Sequence, residues 1–119
     1  MNKYLELANE YGLYIIDEVG DEAHASEWIS SLPEYEEMYR ERCRRMVLRD
    51  RNHPCVLFWS AGNESGEGIN ITHTIEEGKS LDPTRFWMYG GKKIGIGTSP
   101  QNTTVGGVPG ILPKGIYRI

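Results

Sequence analysis

Apolar and polar positions along the first 90 residues follow two rhythms, and each change of rhythm marks an element. Tyr4, Leu7, Ala8 and Tyr11 recur at three- and four-residue spacing, which predicts the end of an amphipathic helix over residues 2–11. Gly12 is placed to cap it in a left-handed conformation, and the run Leu13 to Ile16 then predicts a short buried strand. An acidic loop from Asp17 to about Ser30 follows. Ser31-Leu32-Pro33-Glu34 has the form of a capping box with proline in the first turn. Tyr35, Met38, Tyr39, Cys43, Met46 and Val47 give the next helix an apolar stripe, and Asn52 to Pro54 stops it.

The apolar run Cys55 to Trp59, set between Pro54 and Gly62, predicts a strand buried on both faces, with Asn63 and Glu64 at its C-terminal end. Ser65 to Gly68 form a turn into a weaker helix with Ile71, Ile75 and Leu81 facing inward. Asp82-Pro83 ends that helix, and Phe86 to Tyr89 predict a third strand. The order α-β-α-β-α-β, with crossovers of this length, implies parallel strands joined by right-handed connections. Beyond Gly90 the pattern is lost: residues 91–119 hold seven glycines, three prolines and no acidic side chain. That composition predicts a divergent or disordered tail.

Charge narrows the function. Thirteen basic against 17 acidic residues give a net charge of −4, which argues against a nucleic-acid binder. The arginine-rich stretch from Arg40 to Arg51 does not change this, because Glu36 stands four residues before Arg40 and Glu41 four before Arg45, the spacing of ion pairs on a solvated helix face. No apolar run is long enough to span a membrane, and the N-terminus lacks a basic region followed by an apolar one, so the chain reads as soluble with its compartment unknown. Cys43 and Cys55 read as reduced core residues. Three Asn-x-Ser/Thr triplets, at Asn63, Asn70 and Asn102, are too short a signal to carry weight.

The C-terminal ends of parallel strands are where such folds place their chemistry, which makes Glu64 the first catalytic candidate. Contact with Trp59 and Phe58 would raise its pKa by desolvation and let it donate a proton near neutral pH. The plain alternative is that Asn63-Glu64 caps the following helix. A second candidate is the acidic loop Asp17-Glu18-Val19-Gly20-Asp21-Glu22-Ala23-His24, on the same rim, whose carboxylates and single imidazole suit magnesium or manganese. The plain alternative there is a solvated acidic loop.

Several words of this sequence resemble glycoside hydrolase family 2, the family of the large β-galactosidases and β-glucuronidases. They are Asn52-His53-Pro54, Trp59-Ser60 and Gly62-Asn63-Glu64-Ser65, with Tyr14-Ile15-Ile16-Asp17-Glu18 upstream and Leu81-Asp82-Pro83-Thr84-Arg85 downstream. The resemblance covers roughly residues 1–90 and ends there. It implies an α/β fold, part of a (β/α)8 barrel with about three parallel βα units, since a whole barrel needs about 250 residues. So short a piece leaves sheet edges and faces uncovered, and marginal stability in isolation is expected.

The same resemblance implies that Glu64 is the general acid/base of a retaining β-galactosidase-like hydrolase, and that Asn63 binds the sugar's 2-hydroxyl, with Trp59 a further substrate contact. It also implies a magnesium site at Glu22, His24 and Glu64. This Glu-x-His pair belongs to the β-galactosidase branch, although Gly20 and Ala25 depart from the family's usual Asn and Gly. Asp17 and Glu18 are expected to orient neighbours. The nucleophilic carboxylate is not identified: after Glu64 the acidic residues are Glu67, Glu76, Glu77 and Asp82, none at a strand end. The 119 residues alone are therefore expected to lack turnover. The alternative is a truncated barrel remnant with weak sugar or divalent-cation binding. The oligomeric state of any full-length form stays open.

Overall fold

The computed structural model describes residues 2–90, except 22 and 24, together with the backbone of residues 116–118. Helix α1 (Lys3–Tyr11) leads into strand β1 (Tyr14–Glu18), helix α2 (Glu36–Asp50) into β2 (Val56–Asn63), and helix α3 (Ile69–Leu81) into β3 (Phe86–Gly90). A short strand, β4 (Ile116–Arg118), completes a sheet of order β3-β2-β1-β4 in which every pairing is parallel. This is the α/β arrangement of a partial (β/α)8 barrel, with an open sheet where a whole barrel would close.

Local chemistry explains most boundaries. Asn2 caps α1 by accepting from the Tyr4 N–H at 3.1 Å, and Gly12 ends it with φ 71°, the left-handed turn expected of it. The side of α1 that meets the sheet carries Leu5 and Ala8, whereas Tyr4 and Tyr11 are 75% and 71% exposed. Its apolar residues thus form two overlapping stripes, and the period alone does not say which one docks.

The start of α2 also departs from expectation. The Ser31–Glu34 capping box does not form: the chain makes two 3-10 turns, Glu27–Ser31 and Pro33–Tyr35, before α2 begins at Glu36. Ser30 is the buried serine instead, donating to the Glu27 carbonyl at 2.7 Å and accepting the Gly68 N–H at 3.0 Å. That pair ties the loop to the start of α3.

The core lies between the helices and one face of the sheet. Leu5, Ile15, Tyr39, Cys43, Val47, Val56, Trp59, Ile71, Ile75, Trp87 and Tyr89 are buried there in one cluster. Both cysteines are free and buried. Across the sheet Trp59 stacks on Trp87 with ring centroids 6.0 Å apart. The sheet's other face carries Phe58 and Phe86, with Phe86 64% exposed. In a closed barrel that face would look inward. On the surface Arg40 and Arg44 pair with Glu36 and Glu41, and both reach across to Glu77 on α3. The arginines of α2 therefore join helices.

The expected strands are present but displaced toward the functional rim. β1 runs to Glu18 and β2 runs through to Asn63, where the apolar runs stop at Ile16 and Trp59. Polar Asp17, Glu18 and Ser60 continue the ladder because β1 and β2 still pair there, Asp17 with Trp59 and Glu18 with Ser60. The tail expected over residues 91–119 lies outside the described residues except for β4, which pairs with β1 and was not foreseen.

Candidate active site

Two irregularities in β2 set the geometry of its C-terminal end. Pairing with β1 slips by one residue between Ile15 and Ile16, so that Ile15 faces Val56 and Ile16 faces Phe58. Pairing with β3 slips again: Ser60 faces Met88, but Asn63 faces Gly90. Bulges of this kind re-aim side chains beside active sites. Here the second one returns Asn63 to the register of Ser60 and Phe58, on the barrel-facing side.

Glu64 follows at once, with φ 50°, a left-handed backbone that glutamate rarely adopts. It is held by β3: the Glu64 N–H donates to the Gly90 carbonyl at 2.7 Å. The next amide, Ser65 N–H, donates to the Tyr89 hydroxyl at 2.9 Å, and that hydroxyl donates in turn to the Gly66 carbonyl. The Glu64 side chain is exposed above the rim, while Ser65 beneath it is buried. Neither residue lies in a helix, because α3 starts at Ile69 with Gly68 as its N-cap. The helix-cap alternative for Asn63-Glu64 therefore does not hold.

Trp59 requires a correction. It was expected to touch substrate and, with Phe58, to desolvate Glu64. Its side chain is fully buried on the helix-covered face, stacked on Trp87, with its indole N–H donating to Asp82 at 3.0 Å. It offers no surface to a sugar and does not wall Glu64. The reason is the strand's alternation: Trp59 and Ser60 point to opposite faces, and it is Ser60 that shares the barrel side with Asn63.

The acidic loop separates in the same way. Glu18 accepts the Ser60 hydroxyl at 2.6 Å and so orients a neighbour on the barrel face. Asp17 points the other way, into the helix layer, toward Asp50. Burial first, then the adjoining Asp50 carboxylate, push the Asp17 carboxyl up to about 8, against the opposing pull of Arg49. Its Oδ2 is buried with no hydrogen-bond partner, and a hydrogen bond between the two carboxyl groups raises Asp17 more than the Asp50 charge does. Asp50 is itself held low: burial opposes this, but two Arg49 hydrogen bonds at 2.8 and 2.6 Å, with the hydrogen bond from Asp17, outweigh it.

Glu22 and His24, the expected metal ligands, lie outside the described residues. Ala23 between them is buried, and its N–H reaches the Ser65 hydroxyl at 3.3 Å. The loop is therefore tied to the residue that follows Glu64. Ser65, Tyr89 and Asp21, to which the sequence alone assigns no individual role, prove central to this packing. Asp21 lies beneath Gly62, where a Cβ would sit 2.6 Å from its carboxyl carbon. The one available signal was Gly62 itself, inside an otherwise strand-like run.

No helix among the described residues is long and apolar enough to cross a membrane. Compared with known proteins, residues 1–105 match the family model for glycosyl hydrolases family 2, TIM barrel domain, which carries the likeness past Gly90 into the expected tail. The chain is similar to β-galactosidases of Vibrio vulnificus (strain YJ016), 41% identical over 92 residues, and of Priestia megaterium (strain DSM 319 / IMG 1521), 42% over 99 residues. That of Pectobacterium atrosepticum is 44% identical over 91 residues. These matches cover 75%, 74% and 74% of this chain but only 9%, 10% and 9% of those proteins, so the chain spans about a tenth of their length. The parallel sheet with its helices and the extent of these matches agree: the chain belongs to glycosyl hydrolase family 2 and carries part of its TIM barrel domain.

Proposed function

We propose that this segment supplies the general acid/base of a retaining β-galactosidase-like hydrolase, with Glu64 donating a proton to the leaving oxygen and later taking one from water. The observation that carries the reading is the placement of Glu64: exposed at the C-terminal end of an inner strand, on a left-handed backbone clamped by two hydrogen bonds to β3. Strained backbone that its surroundings hold in place is a mark of functional positions. Asn63, half-buried on the barrel side and next to Glu64 in the chain, would bind a sugar hydroxyl as charge develops at the anomeric carbon. The names of the relatives, all β-galactosidases, support a terminal β-galactoside as the substrate class.

A second carboxylate is needed, and the described acidic residues after Glu64 do not provide it. Glu76 and Glu77 pair with Arg40 on the helix layer, Asp82 is buried against Arg85, and Glu67 sits in the turn before α3. In this reading the described residues supply the acid/base carboxylate and the nucleophile comes from elsewhere in the barrel. Glu22, His24 and Glu64 would together offer two carboxylates and an imidazole, a donor set suited to Mg2+, and the Ala23–Ser65 hydrogen bond ties Ala23 to the residue after Glu64. When bound there the ion would supply local positive charge near the reacting sugar.

The test is leaving-group dependence in a complete barrel. Glu64→Gln should reduce kcat/KM on a β-galactoside with an alkyl leaving group by at least about 100-fold, the lower range for general acid catalysis. Loss on a nitrophenyl galactoside, which hardly needs the proton, should be far smaller. Equal losses on both substrates would refute the assignment.

A further inference from the structure

Resting on that reading of Glu64, we propose that Tyr89 is the positioning residue of the acid/base carboxylate, acting through the backbone on its C-terminal side. Tyr89 is 25 residues away in sequence and never touches the carboxylate. Its ring is buried in the core, 1% exposed, so the phenol reaches the rim from below. The hydroxyl accepts the Ser65 N–H at 2.9 Å and donates to the Gly66 carbonyl, which uses both of its hydrogen-bonding roles on the turn that follows Glu64. Its chain neighbour Gly90 holds the Glu64 N–H at 2.7 Å. Two consecutive amides, of Glu64 and Ser65, are thus fixed by two consecutive residues of β3.

This clamp offsets a local preference. A left-handed glutamate lies roughly 1–2 kcal/mol above its right-handed form, so without restraint the backbone at residue 64 would redistribute and swing the carboxylate. Burial pushes the Tyr89 phenol pKa upward, which keeps the hydroxyl a donor across the working pH range. Ser65 contributes on the other side, donating to the Asn63 carbonyl at 3.0 Å and receiving the Ala23 N–H. The Tyr89 hydroxyl is what links this turn to the third strand through a side chain.

Tyr89→Phe separates the two roles, because it keeps the ring and removes the hydroxyl. In the full 119-residue chain, amide hydrogen exchange should show Ser65 losing about fivefold protection, the equivalent of one hydrogen bond, while Trp59 in mid-strand is unchanged. Unchanged exchange at Ser65, or an equal loss at Trp59, would overturn the proposal. Should Tyr89→Phe fail to fold, wild-type Ser65 decides: protection comparable to Trp59 supports the clamp, and exchange at the free-peptide rate overturns it. In a complete barrel the variant should lose several-fold more kcat on alkyl than on nitrophenyl galactosides, and equal losses would refute a positioning role. Glu64→Gln measured alongside keeps the two ideas apart. If it loses equally on both substrates the acid/base reading falls, and exchange at Ser65 still decides the clamp.

Discussion

Replacing Gly62 by alanine tests whether the loop bearing the expected metal ligands is locked to the strand bearing Glu64. Gly62 has φ 130°, a conformation that side chains rarely adopt, and a Cβ there would meet the Asp21 carboxylate, 2.6 Å from its carbon and nearer its oxygens. The backbone strain costs about 1–3 kcal/mol. Overpacking adds about 1–3 kcal/mol, because Asp21 is buried and has little room to yield. Against these stands a gain below about 1 kcal/mol from a stiffer unfolded chain. The net loss is then about 2–5 kcal/mol, or a fall in Tm of roughly 10–20 °C for a domain of this size. Gly20→Ala is the control: it lies on the same loop, with ordinary φ and nothing within 4 Å of its Cβ, and should melt within about 2 °C of wild type. Circular dichroism melts of the three proteins at neutral pH give the comparison. If Gly62→Ala melts like Gly20→Ala, the close approach of Asp21 to β2 is not a rigid feature of the fold.

Asp17 predicts an unusual pH dependence. Its carboxyl stays protonated in the folded state to about pH 8 but ionises near 3.8 when unfolded, so its contribution is fully present below 3.8 and is lost as pH rises through 8. Asp50, held low, works in the opposite direction and only at acid pH, so the two windows separate. Asp17→Asn should therefore flatten the decline in chemical-denaturation stability between about pH 5 and 8, a decline bounded at about 1.4 kcal/mol per pH unit. Parallel profiles for the two proteins would contradict this. For the cysteines, burial pushes Cys43 up to about 12 and raises Cys55, so both should react with an aromatic disulfide reagent at least about 100-fold faster in denaturant than when folded. Fast labelling of the folded chain would show that the core is open.

What could be read from the sequence was whatever a local rhythm encodes. Gly12 as a left-handed cap, the α2 stripe at Tyr39, Cys43, Met46 and Val47, and three parallel strands alternating with helices all follow from spacing and are observed. The errors arise where a choice depends on partners distant in sequence. Ser30 rather than Ser31 is buried because Gly68 donates to it from the start of α3. Trp59 reads as a rim aromatic until the slip between Ile15 and Ile16 fixes which face it occupies. Tyr89 reads as the last apolar residue of a strand, and its hydroxyl acquires a role only when the Ser65 turn folds over it.

The division of labour across the sheet follows from that alternation. On the helix side, polar groups serve to join elements: Asp82 accepts from the Trp59 indole and from Arg85 at 2.6 Å, while Arg85 also donates to the Val56 and His53 carbonyls, which locks the start of β2 to the start of β3. Burial alone would raise the Asp82 pKa, yet hydrogen bonds from Thr84, Arg85 and Trp59 overcome it and hold the group down at about 2, as expected of a structural carboxylate. On the barrel side the polar groups gather at one end, with Glu18 bonded to Ser60, then Asn63, then Glu64 above them. A carboxylate committed to an arginine cannot give up its place to a substrate, whereas among the described residues Glu64 is held through its backbone. The fold fixes the backbone of Glu64 and leaves the residue exposed, as the acid/base role proposed for it needs.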